Sequence, residues 1–227
     1  MKHLNEYITE KLRINSKTLK HNYFPKTKQE LIDILEERLE KDKNADLNDI
    51  DVSEITDMSY LFVDLDPHNI NISEWNVSKV ENMKEMFRAC ENFNSDLSKW
   101  NVSKVENMGY MFWKCKNFNS DISNWNVSKV IDMGSMFFVC HSFNSDLSKW
   151  DVSNVEIMSS MFYKCYKFNS DISNWDVSKV KFMNSMFINC EKFNSDLSNW
   201  NVSNVKNMHC MFDNSNSLNK IPSWYKV

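Results

Sequence analysis

The sequence predicts an α/β repeat fold: a solenoid of 25-residue coils, each a short parallel strand plus a helical turn, with an α-helical N-terminal cap. Three observations predict it. Tryptophan stands at Trp75, Trp100, Trp125, Trp150, Trp175 and Trp200, and cysteine at Cys90, Cys115, Cys140, Cys165 and Cys190. Methionine keeps the same interval from Met58 to Met208 without an insertion. The first 45 residues carry none of these series. Constant spacing of large apolar residues gives every unit one shape, and stacked units bury a side that no unit could bury alone.

The repeats occupy residues 46–227, about seven of them. A degenerate copy, DLNDIDVSEITDMSYLF (46–62), has Ile50 where Trp would stand; a truncated one, LNKIPSWYKV from Leu218, brings Trp224 one residue early. In the unit 97–121, Leu97, Trp100 and Val102 spell L-x-x-W-x-V, which suits a short strand with alternate side chains inward. Ser103 with Glu106 suits a helix N-cap and capping box. Val105, Met108, Met111, Phe112, Cys115 and Phe118 then recur at intervals of three and four, the period of a helix with one apolar face. Asn119 to Asp121 have turn chemistry.

Residues 1–45 read as the helical cap, covering the exposed end of the core. One amphipathic helix is expected over residues 2–13 and a second over about 27–42, with Thr27 and Glu30 as its capping pair and Leu31, Ile34, Leu35 and Leu39 as its buried stripe.

Composition narrows function. A net charge of −4 argues against general nucleic-acid affinity. No run of 18 apolar residues predicts a membrane span. Cysteines at one repeat position read as buried thiols rather than disulfides, and the five histidines follow no metal-ligand pattern. The N-x-S motifs at Asn76, Asn101, Asn126 and Asn201 give way to Asp151 and Asp176 at the same repeat position, so a side-chain oxygen, not a glycan acceptor, is what that position needs. The column Asp96, Asp121, Asp146, Asp171, Asp196 reads as turn-stabilising rather than as a calcium site. An active site must break symmetry, and the polar residues here are repeat positions, so no enzyme, no catalytic residue, no metal and no cofactor are expected.

Positions that vary while the framework holds are the informative ones. After Phe112 and its equivalents come Arg88, Trp113, Phe138, Tyr163, Ile188 and Asp213. On a helix this position faces away from the buried side, with Tyr110 and Ile131 near the same outer stripe and Tyr166 flanking it. Tyr110, Trp113, Ile131, Phe138, Tyr163, Tyr166 and Ile188 are therefore the expected partner-binding residues, and the partner another protein.

The stretch FNSDLSKWNVSKVENMGYMF (93–112) resembles the BspA-type leucine-rich repeat, also described as the mycoplasma lipoprotein repeat, and the likeness runs over about residues 46–227. The resemblance implies a leucine-rich-repeat-like solenoid in proteins displayed on bacterial surfaces as adhesins. The opening MKHLNEYITEKL departs from those members: it is polar, without the apolar core of a secretion signal or a lipobox cysteine, so a cytoplasmic location is expected, with the cell surface as the alternative. Abundant Asn, Lys, Ser and Phe beside only two glycines points to a bacterium or its phage. The function expected is a non-enzymatic protein–protein interaction scaffold, such as an inhibitor of a host machine. The alternatives are a surface adhesin and a structural protein that self-associates through the outer aromatic column.

Overall fold

The computed structural model describes residues 21–226, and the helix expected over residues 2–13 lies outside them. From Asp46 onward the chain winds into successive 25-residue coils, each lying on the one before. The expected α/β architecture is overturned. Among the described residues there is one helix, Lys28–Lys41, and no strand, so this is not an α/β solenoid with a helical cap. Coils meet instead through isolated parallel bridges, Asp57 to Asn82, Asn82 to Asn107, and so on to Phe182 and Asn207. These bridges lie beyond the L-x-x-W-x-V stretch that suggested a strand.

The backbone explains the misreading. The residues expected to form a helix make a chain of tight turns, Met108 to Met111, Tyr110 to Trp113, Phe112 to Cys115 and Cys115 to Phe118, each closed by an N–H donating to the carbonyl three residues back. Tyr110 and Lys114 hold φ at 59° and 61°, and their equivalents in the other coils are also left-handed. Left-handed residues recurring within one turn's length stop a right-handed helix from propagating. Turns of this length nevertheless return apolar residues inward at i and i+3, as a helix does, so periodicity could not tell the two apart. The amides that a helix would use internally face the next coil: Met108, Tyr110, Phe112 and Lys114 donate to the carbonyls of Asp132, Gly134, Met136 and Phe138 at 2.7–2.9 Å. Stacking thus satisfies the backbone as well as burying the side chains.

Three side-chain ladders fix the interval. Each indole N–H from Trp75 to Trp200 at the 25-residue position donates to a carbonyl one coil back, as Trp125 does to Leu97 at 3.0 Å. Trp224 repeats this toward Leu197 at 2.8 Å despite standing one residue early. Each buried thiol donates likewise, Cys140 to the Phe112 carbonyl at 2.9 Å. Buried Ser120, Ser145, Ser170 and Ser195 accept from the backbone N–H of Leu97, Ile122, Leu147 and Ile172. Inside them the rings run in columns: Phe112 to Phe137 at 5.8 Å, Phe137 to Phe162 at 5.7 Å, and Trp100 to Trp125 at 6.4 Å. Each fully buried ring adds about 1.5–3 kcal/mol.

At the N-terminal end the Lys28–Lys41 helix falls within the expected 27–42 span. The Thr27 hydroxyl accepts from the Glu30 N–H at 3.2 Å, and the Glu30 carboxylate accepts from the Lys26 N–H at 2.6 Å. Leu31, Leu35 and Leu39 join the coil core while Ile34 is half-buried. Lys28 reaches Asp57 and Ser59, and Arg38 reaches Asp49 and the Asp46 carbonyl. At the other end Tyr225 meets Phe212 edge-on at 5.1 Å and 83°, interrupting the parallel ring stack, while Val202, Val205 and Met208 are half-buried.

Candidate protein-interaction face

Position 113 points outward because of the turn that holds it. Phe112 is fully buried, and the Trp113 N–H closes a turn back to the left-handed Tyr110 at 3.0 Å, placing the indole on the outer side of the corner. The next coils repeat this geometry, so Trp113 stacks on Phe138 at 5.8 Å and 14°, and Phe138 on Tyr163 at 4.5 Å and 9°. The rings are half-buried: one coil's ring shelters the next, and their outer edges meet solvent.

The structure brings Trp113, Phe138 and Tyr163 into one continuous column, with half-buried Ile188 at the same position in the following coil. Tyr166 stands in a neighbouring column, stacked on His141 at 4.6 Å. Tyr110 is 41 % exposed at the start of its turn. Ile131, 44 % exposed, lines a depression with Glu106, Lys129, Asn154, Glu156 and Lys179 that holds none of the other six. The helical wheel that grouped it with Tyr110 does not apply to a segment of turns.

The sequence reading missed the cations on these rings. The Arg88 guanidinium lies 5.1 Å from the Trp113 ring centre, the Lys114 ammonium 4.2 Å, and the Lys164 ammonium 5.5 Å from that of Tyr163. Their signal was present: Arg88 is the column's own first member, and Lys114 and Lys164 directly follow the rings they cover. Burial, and then the charges of Lys116 and Lys164, hold the His141 imidazole below its ordinary pKa.

Elsewhere the polar columns have local explanations. Asp96, Asp121, Asp146, Asp171 and Asp196 each accept from the Ser N–H two residues on at 2.9–3.0 Å, and those hydrogen bonds lower the carboxyl pKa values. Asn101, Asn126, Asp151 and Asp176 do the same toward Ser103, Ser128, Ser153 and Ser178, so the shared side-chain oxygen of the N-x-S and D-x-S motifs tightens a turn. Ser103 is thus held by Asn101 and caps no helix. Among the described residues no three His, Cys, Asp or Glu gather as metal ligands, and no helix is long and apolar enough to cross a membrane. One carboxylate breaks the pattern: burial raises the pKa of Asp132, and a Cβ on either of the chain's two glycines, Gly109 or Gly134, would come within 3.1 Å of its oxygens.

A family model described as Mycoplasma protein of unknown function, DUF285, matches residues 34–150 and again residues 120–225. It supports a mycoplasma-type repeat and not the leucine-rich repeat specifically. No curated protein and no solved structure matches the chain.

Proposed function

The chain belongs to this Mycoplasma repeat family of unknown function, and from that premise we propose that it is a non-enzymatic protein that binds another protein through the outer column of Trp113, Phe138, Tyr163 and Ile188. The observation that carries the reading is the contrast between neighbouring residues. The column at Phe112 is sealed inside and stays Phe from Phe62 to Phe212, while the column one residue later is half-open and holds four different large side chains in successive coils. Aromatic residues with an apolar body and an accessible edge are the usual anchors of protein interfaces. Stacking also pre-orders the rings, which lowers the entropy lost on binding. The likeness of the repeat motif to BspA-type adhesins supports a binding role without adding chemistry.

Replacing Trp113, Phe138 and Tyr163 together by Ser tests it. The immobilised wild-type chain captures a partner from its source extract that the triple variant does not, while the variant's melting temperature stays near wild type. Equal capture by both chains, or a collapse of the variant's stability, overturns the assignment of this column as the interface.

A further inference from the structure

Resting on the binding role above, we propose that the segment seated on the outer column is an acidic peptide carrying aromatic or aliphatic residues. The corner segments beside the rings, residues 88–92, 113–117, 138–142, 163–167 and 188–192, hold Arg88, Lys114, Lys116, Lys164, Lys167 and Lys192 against two acids, Glu91 and Glu191. This is a local excess of positive charge on a chain of net charge −4, so it belongs to this strip and not to the surface at large. Lys116 is held by Glu91 at 2.7 Å, but Lys114, Lys164, Lys167 and Lys192 have no carboxylate within salt-bridge distance among the described residues. Two of these ammonium groups, Lys114 and Lys164, lie over ring faces, where they are available to a carboxylate arriving at the ring edge. Carboxylates along a bound segment answer the ammonium groups, and its apolar side chains cover the edges of Trp113, Phe138 and Tyr163.

Nucleic acid would also answer the lysines, but its bases need free ring faces. Here the faces are already used. Trp113 lies between Arg88 and Phe138, and Phe138 between Trp113 and Tyr163. Trp113 and Phe138 offer only edges, and the Lys164 ammonium lies over Tyr163, which suits side chains and not stacked bases.

The test is selection from a library of short random peptides on the immobilised full chain, followed by affinity measurements on the enriched sequences. Peptides rich in Asp and Glu with interspersed Leu, Phe or Tyr are expected, weakening about tenfold on the double charge reversal Lys114→Glu with Lys164→Glu, and weakening as salt is raised. Enriched peptides that need Trp113, Phe138 and Tyr163 but carry no net negative charge and tolerate the charge reversal would overturn the acidic class and leave the binding column standing. Peptides indifferent to the triple Ser variant would overturn both. Single-stranded DNA bound in a Trp113-dependent way would also defeat the proposal.

Discussion

Phe137 and Phe138 are adjacent, have the same side chain, and stack on equivalent rings in the coils on either side. Phe137 is fully buried with Phe143 against it at 3.9 Å, whereas Phe138 is half-open at the corner. The buried column is confined on every side, so each coil must present the same volume to the next and the residue is always Phe. The outer column is confined only above and below, so it tolerates Arg, Trp, Tyr, Ile and Asp. One position sets the interval of the stack; the other sets what the stack offers to a partner.

Five substitutions break or sharpen that contrast. The largest effect is expected from Phe137→Ala, which leaves a cavity between two stacked neighbours and costs about 3–5 kcal/mol in chemical unfolding. A cost equal to that of Phe138→Ala would show that the two columns are not different environments. Trp125→Phe removes the indole N–H from the Leu97 carbonyl and part of the ring volume, for about 2 kcal/mol. Because that carbonyl keeps the Trp100 N–H, the loss stays below that of a fully orphaned acceptor.

Cys140→Val takes the thiol donor from the Phe112 carbonyl and costs about 1 kcal/mol, while Cys140→Ser costs less. The last coil already makes that exchange: Ser215 stands at the cysteine position, and its hydroxyl donates to the Phe187 carbonyl one coil back. If Ser is worse than Val at position 140, the ladder is a matter of volume and the hydrogen bond is incidental. The smallest effect is Phe138→Ala, at less than about 1 kcal/mol, because the edge of the ring is already in water and only its two faces are packed. Chemical unfolding of this variant beside Phe137→Ala measures the comparison directly.

Repetition was fully legible in the chain. The constant interval of Trp, Cys and Met could only mean that equivalent residues meet, and they do, indole over indole and ring over ring. The second helix was legible too, because Thr27, Glu30 and the leucine stripe are local signals. The outer column was visible as variation at a fixed register, which survives an error in the secondary structure between its members. Ile131 was grouped with Tyr110 through the helix itself, and it lines a depression of its own.

The sequence by itself determined the interval, the inward set Trp, Val, Met, Phe and Cys, and the position that varies, since these follow from spacing alone. Only the tertiary structure decided how each lap is bent. A left-handed Tyr110 or Lys114 carries no glycine to announce it, and its strain is tolerated because the amides around it find carbonyls in the next coil, partners that exist only once the coils are stacked.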